Sequence, residues 1–523
     1  MNHMKSTLIT GFLLFGLTAQ ANEKFKIDIN KSEFKLSKVT KAESKFTQIS
    51  LNGFETDKTL GAPELPVKSW LIKGTPEQIR VNFNVHDTEL LTETKPYPTQ
   101  EQDCRCETSK VKSFKMNNSL YEKPLPSVSI NYLGAYRGTP ISQVNVRLGT
   151  YDAFKNETQI VTAADVEINS DLFSFQADDR AVLKDYLLVV PASLVNGVSA
   201  FVNWRRSKGY NVYVETVTSP TNDLNALKNL IKQYYTEKGI DFVILVGDET
   251  AIPMFKANTS GSSQTPSDLK YFTMDGDSDY IPDVFASRIV AASSSEVALQ
   301  LSKSIEFEQR SYQNPAGLKR FIGIASNEGS KPSDNEYVKS IEDKFKTLMG
   351  AEIVHLYQED YENSNPRVLN STLNSGAFWL TYMGHGSGTS WPSMDEEYTV
   401  SDISQVKNKT SVKPIIIDVA CQNGRLLSNY LGTSFMKTQN STANNVLGAA
   451  AYYGGSVNIS WHPPAVMARG IAFEHLTKKF HHLGQALLAG NLYLAANWNN
   501  KNEVIDNFEW YHLQGDPGMN IQF

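Results

Sequence analysis

The chain has 523 residues, room for about three domains at roughly 150 residues each. It is 41% hydrophobic and 20% charged, a globular mix that argues against wholesale disorder and against a coiled coil. The net charge of −6 is not gathered into any basic patch, so no nucleic-acid partner is expected. Three cysteines, Cys104, Cys106 and Cys421, exclude a disulfide-rich scaffold and leave one thiol over however they pair.

Lys5 precedes an apolar run from Leu8 to Leu17, and Ala19-Gln20-Ala21 follows as a small-x-small cleavage site. This reads as a signal peptide over residues 1–21. The run is short of the ~20 residues that span a bilayer, so no membrane anchor is expected. The product is expected to be exported, secreted or periplasmic.

Residues 22–180 read as a β-rich domain. Short runs such as Trp70-Leu71-Ile72, Ile79–Val85 and Ser142–Leu148 are broken by Pro and Gly. From Asp185 the pattern changes to apolar strands alternating with helices. Strands are expected at Tyr186–Val190, Val212–Val217, Phe242–Val246, Phe321–Ala325, Ile353–Tyr357, Phe378–Met383, Ile415–Ala420 and Leu447–Tyr452. Helices are expected over 194–208 and over Asp223–Lys238, with Asp223 as N-cap. That alternation predicts a doubly wound α/β fold with a mostly parallel sheet. A Ser-, Thr- and Asp-rich break near 258–280 divides the region 181–523 into subdomains of about 181–290 and 291–523.

Three polar residues follow expected strands: Glu328 after Phe321–Ala325, His385 after Phe378–Met383 and Cys421 after Ile415–Ala420. Function in open α/β sheets collects beyond the carboxyl ends of the strands. A thiol beside an imidazole loses its proton and attacks a carbonyl carbon, and a carboxylate can orient the imidazole. His385 is flanked by Gly384 and Gly386, and the N–H groups of Gly386 and Cys421 are candidates for an oxyanion hole. Taken singly, each of these residues is ordinary core or loop.

The stretches Tyr186–Pro191, Phe242–Asp248, Ala325–Gly329, Gly384–Ser387, Asp418–Gly424, Asn458–Trp461 and Gly515-Asp516-Pro517 together resemble the gingipain-type cysteine peptidases of the caspase–legumain group. The resemblance implies a caspase-like sheet, Cys421 as nucleophile, His385 as acid/base, Glu328 as its orienting partner and Trp461 as a wall of the substrate pocket. Gly61–Pro66 resembles the family's propeptide. That implies a zymogen whose own N-terminal domain is an intramolecular inhibitor, with Arg180 a candidate cleavage site and a protein or peptide as substrate. Arginine-cleaving members carry an acid in the helix after the glutamate, where this chain has Tyr337 or Val338. Lysine-cleaving members carry a Thr before Gly-His and an Asp after the pocket Trp, where this chain has Met383 and His462-Pro463-Pro464. An apolar or neutral first pocket is therefore expected. Asp395, Glu396 and Glu397 are the acids that an inward-folding loop could supply.

Asp275, Asp277, Asp279 and Asp283 have calcium-like spacing but no EF-hand glycine, since Tyr280 holds that position. The residues alone favour a solvated acidic loop slightly, and the resemblance to a calcium-using family brings a structural Ca²⁺ site level with it; the chemistry itself calls for no cofactor. Cys104 and Cys106 read as incidental or as one labile disulfide. The reading that follows is a secreted cysteine endopeptidase acting through a thioester. Its rivals are a transpeptidase using the same residues and a non-catalytic surface or adhesion protein on the same scaffold.

Overall fold

A computed structural model describes residues 23–106, 112–176, 183–218, 223–329, 331–440 and 445–522. The signal segment, the domain boundary at 180 and Arg180 lie outside these residues. Among the described residues no helix is long and apolar enough to cross a membrane.

The N-terminal region is built from antiparallel strands. Thr139–Arg147 lies between Pro66–Lys73 and Val128–Tyr136. Glu157–Ile168 lies between Glu23–Asp28 and Val81–Leu91. Alternate residues of these strands, among them Val144, Val146, Val166 and Ile168, meet in one apolar core, as strand periodicity requires.

The rest of the chain forms a ten-stranded sheet. In chain order its strands are β1 (Asp185–Pro191), β2 (Asn211–Val217), β3 (Phe242–Val246), β4 (Phe285–Ile289), β5 (Arg320–Ala325), β6 (Glu352–Tyr357), β7 (Trp379–Met383), β8 (Ile415–Val419), β9 (Ala451–Gly455) and β10 (Tyr511–Gln514). Their spatial order is β2-β1-β3-β4-β10-β9-β8-β7-β5-β6. Strands β3, β7, β8 and β9 are buried along their whole length, because helices cover both faces. On β7, Trp379 and Met383 join one apolar cluster while Leu380 and Tyr382 join the other.

Every pairing in this sheet is parallel except β9 with β10. Strand β10 therefore reverses direction between the two halves. The carboxyl ends of β5–β9 and the amino ends of β4 and β10 share one edge, and the candidate residues gather there. The expected strand at Leu447–Tyr452 forms four residues later, at β9, and the 258–280 break holds a hairpin, Phe255–Thr259 with Ser262–Ser267. Neither β4 nor β10 was expected. Each is short and mixed in character, and its place is fixed by the flanking strands rather than by its own pattern.

The N-terminal region docks on this same edge. Its Lys58 N–H donates to Asn499 Oδ1 (2.8 Å), and Gln143 Nε2 donates to the carbonyls of Ala495 (2.6 Å) and Trp498 (2.8 Å). Ala135 N–H donates to Asp279 (3.0 Å) and Arg137 N–H to Asp283 (2.6 Å).

Candidate active site

Strands β5, β7 and β8 are adjacent and in register, with Ala325 beside Met383 and Met383 beside Val419. The turns after them therefore start at one level. Glu328, His385 and Cys421, 57 and 36 positions apart in sequence, are brought together by that register.

The turn after β8 is held tightly. Gln422 takes a left-handed conformation (φ 62°), which a residue with a side chain rarely adopts, and its N–H donates to Val457 O (2.9 Å). Asn423 ties this turn to the histidine loop: its Oδ1 accepts Gly388 N–H (2.9 Å) and its Nδ2 donates to Ser390 O (3.0 Å). The Cys421 thiol is fully buried, and its sulfur accepts the Ile459 N–H (3.2 Å). Burial pushes the thiol up to about 12, so it is protonated in this state. Two residues into the strand end, Asp418 accepts from Trp391 Nε1 (3.1 Å) and from the Tyr452 hydroxyl; burial raises its carboxyl to about 6.

His385 Nε2 lies 2.9 Å from Glu328 Oε2. A carboxylate there fixes the proton on Nε2. Nδ1, buried and without a hydrogen-bond partner among the described residues, is then left to exchange a proton. The ring packs edge-on to Trp461 with centroids 5.3 Å apart. Gly386 allows the two loops to touch. A Cβ there would overlap the Cys421 carbonyl oxygen and come within 2.7 Å of its nitrogen, so only glycine fits.

The cleft is filled by the N-terminal region. Cys104 pairs antiparallel with Ser460, and Arg105 N–H donates to Ile459 O (3.0 Å). The Arg105 carbonyl accepts the Gly386 N–H (3.1 Å). The Arg105 side chain is wholly buried. Its guanidinium forks onto both oxygens of Asp334 (2.7 and 2.9 Å), donates to Trp461 O (2.9 Å) and lies over the Trp461 ring, 4.5 Å from its centroid. Asp334 also accepts from Ser326 Oγ (2.8 Å) and opens the helix Asp334–Met349, whose N-cap is Ser333 in a capping box with Glu336. A helix amino end favours a carboxylate. Gly329 (φ 100°) lets Trp461 sit close, since a Cβ there would come 2.6 Å from its Nε1.

The side of the cleft that receives the Arg105 cation is therefore acidic, where the sequence predicted an apolar or neutral first pocket. Tyr337 and Val338 are one turn further along the helix and point into the core: Tyr337 OH approaches His462 Nδ1 (3.5 Å), and both join the cluster that also holds Met383. Sequence position placed the acid inside the helix, whereas the loop before it ends sooner and puts Asp334 at its first turn. The signal was present as Ser333-x-x-Glu336, which marks the helix start. Asp395 turns elsewhere, accepting Glu359 N–H (2.8 Å). Of the two readings of Cys104 and Cys106, the bridge is the one found, with Cα atoms 5.2 Å apart.

On the acidic loop, ligand atoms of Asp275, Asp279 and Asp283 lie within 4.8 Å of one another; Asp277 is outside the group. Asp279 and Asp283 already accept backbone N–H groups, from Ile281 (3.1 Å) and Met274 (2.8 Å) as well as from the N-terminal region. Carboxylate oxygens can serve both roles, so the donor set is compatible with a hard cation.

Known proteins show the same plan. Gingipain R2 of Porphyromonas gingivalis is 27% identical over 293 residues, which is 53% of this chain and 37% of that protein. Lys-gingipain W83 of the same organism is 22% identical over 575 residues, 96% of this chain and 32% of that protein. The chain thus spans well under half the length of these curated relatives. The crystal structure of the Arg-specific cysteine proteinase gingipain R superposes with a TM-score of 0.59 at 23% identity, covering 66% of this chain and 80% of that one. The complex of Porphyromonas gingivalis RgpB pro- and mature domains gives 0.57 at 24% identity, covering 64% and 79%. The profile of the family's propeptide, Propeptide_C25, matches residues 16–185, and that of Peptidase family C25 matches residues 181–522. With the sheet, the Cys-His-Glu constellation and these matches in agreement, the chain belongs to peptidase family C25, with the family's propeptide ahead of its peptidase domain.

Proposed function

We propose that the chain is an exported zymogen of a cysteine endopeptidase that cleaves after arginine. One observation carries the reading: the propeptide's Arg105 lies in the cleft as a substrate would, with its cation on Asp334 and its carbonyl on the Gly386 N–H beside Cys421. An extended peptide adds there as a strand along Ile459 and Ser460. His385 takes the thiol proton, and Cys421 attacks the carbonyl carbon. The oxyanion that forms is held by Gly386, with the neighbouring Cys421 N–H as second donor. His385, oriented by Glu328, then gives its proton to the leaving amine, and water hydrolyses the thioester. Arginine is preferred over lysine because a planar fork matches both carboxylate oxygens and also stacks on Trp461.

An acyloxymethyl ketone bearing arginine tests this on trypsin-processed protein. Wild type is labelled at Cys421, while Cys421→Ala and His385→Ala are not; equal labelling of all three refutes the catalytic assignment. Asp275, Asp279 and Asp283 are proposed to hold a structural Ca²⁺, in which case a chelator lowers the melting temperature.

A further inference from the structure

The propeptide places more than an arginine at the catalytic thiol. With Arg105 in the acidic pocket and its carbonyl at Gly386, the bond presented for cleavage is Arg105–Cys106. The Cys104–Cys106 disulfide closes a small ring around that bond. Cys104 Sγ lies 3.7 Å from Cys421 Sγ, in van der Waals contact. Both ring cysteines are part exposed, whereas Cys421 is not. All three cysteines of the chain are thus assembled in one place.

We propose that the Cys104–Cys106 disulfide is a reduction-sensitive lock on this zymogen, opened by a dithiol reductant. The inference rests on the peptidase reading above. If Cys421 acylates on Arg105, the bond from Cys421 Sγ to the Arg105 carbonyl carbon forms and the Arg105–Cys106 amide breaks, with His385 protonating the new amine. In the oxidised chain that amine does not leave. It remains tied through the disulfide to Cys104, which is peptide-bonded to the acylated Arg105. Amine and thioester are the two ends of the opened ring, still joined through the disulfide, so religation is intramolecular and outruns hydrolysis. The tethered amine also occupies the side from which water must come. The sulfur contact adds a second closed form. The Cys421 thiolate can attack Cys104 Sγ, forming Cys104–Cys421 while Cys106 leaves as thiolate with the electron pair. No external oxidant is needed for that exchange, and in the product the free thiolate is that of Cys106 while Cys421 is tied up in the disulfide. A dithiol reverses both closed forms: two electrons and two protons pass to the protein disulfide, and the dithiol becomes a disulfide. Cleavage of Arg105–Cys106 then separates the two ends, and the acyl-enzyme proceeds to water.

The test uses the full-length chain, as wild type and as the Cys104→Ser/Cys106→Ser double variant, each with and without a sulfur-free phosphine reductant. Cleavage between residues 105 and 106 is followed by mass spectrometry, and Cys421 by the arginine ketone probe. Phosphine is expected to raise both in wild type by at least about tenfold, the scale of advantage a tethered nucleophile readily supplies. The double variant is expected to match reduced wild type without phosphine and to be insensitive to it. Equal rates for oxidised and reduced wild type overturn the lock; that arm does not depend on the variant folding. A double variant as latent as oxidised wild type overturns it too. Trypsin-processed protein, probed in the presence of phosphine, separates the two ideas. If Cys421 is labelled there, redox insensitivity counts against the lock alone; if it is never labelled, the peptidase reading has failed.

Discussion

Replacing Asp334 with asparagine keeps the shape of the first pocket and removes its charge. In the closed cleft both the guanidinium and the carboxylate are fully buried, joined by two charge-assisted bonds of 2.7 and 2.9 Å. Removing one partner of such a pair leaves an unpaired buried charge, at a cost of about 3–5 kcal/mol. The Trp461 carbonyl and ring remain to receive the cation, so the lower end applies. At 1.36 kcal/mol per decade this is about a hundredfold loss in kcat/KM for P1-arginine peptides. With citrulline, the neutral isostere, it is the wild-type carboxylate that is left unpaired, so Asp334→Asn should not lower its kcat/KM and should raise it. The assay is hydrolysis of matched fluorogenic peptides by trypsin-processed enzyme, with active sites counted by Cys421 labelling. A loss shared equally by arginine and citrulline would refute the reasoning, because it would mean that Asp334 supports the site rather than reads the substrate. Unchanged arginine hydrolysis would refute it as well.

Arg105→Ala empties the pocket while leaving the propeptide's other contacts at Lys58, Gln143 and Arg137 in place. Unprocessed protein should then hydrolyse a P1-arginine peptide at least about tenfold faster than wild type, given the size of the lost ion pair; a variant that stays silent would show that latency lies elsewhere. Gly386→Ala keeps the backbone N–H but drives a Cβ into the Cys421 carbonyl oxygen, so the N–H is displaced from the oxyanion; kcat should fall by about a hundredfold, the usual loss for an oxyanion donor, with a melting curve to confirm that the fold survives. Glu342 is buried against Gly323 and lies 3.0 Å from His355 Nδ1; burial raises its carboxyl to about 7. The folded chain therefore holds this proton more tightly than the unfolded chain. The resulting stability is full below the ordinary value near 4.5 and is lost as pH rises through 7. Glu342→Gln should accordingly raise the melting temperature at pH 8 relative to wild type and change it little at pH 4, as thermal melts at the two pH values will show.

How much of this was legible in sequence depends on where each residue takes its instructions. Strands β3, β7 and β8 are apolar runs, broken only by Thr381 and Asp418, because both of their faces are covered, and such runs mark strand ends to within a residue or two. Glu328, His385 and Cys421 stand just past those ends, so a pattern of buried strands was enough to gather them. Strand β10 follows no such pattern. Tyr511–Gln514 is fully buried yet half polar, and it is antiparallel to β9 only because the last helices return the chain to that gap. The acidic pocket failed for a related reason: a carboxylate one turn early on a helix differs from one inside it by the length of a loop, which neither periodicity nor resemblance measures.

Arg105 was the least visible residue, although the chain announces it in its own way. Its partner Asp334 is 229 positions away, and no local pattern links residues at that range. What the sequence does display is one arginine between two cysteines, in a chain with three cysteines in all. Read as incidental or as one labile disulfide, that spacing suggested little; placed in the cleft, it puts a cation on the Asp334 carboxylate and a sulfur against the Cys421 sulfur. On the proposed function, the substrate-like register of the propeptide and the specificity of the pocket are one fact seen from two sides. Whatever loosens Arg105 must also weaken arginine recognition if Asp334 is altered, but not if Arg105 is. That asymmetry lets Asp334→Asn and Arg105→Ala be told apart on the same two substrates. The first should leak and lose arginine selectivity together; the second should leak and, once processed, cleave after arginine as well as wild type does.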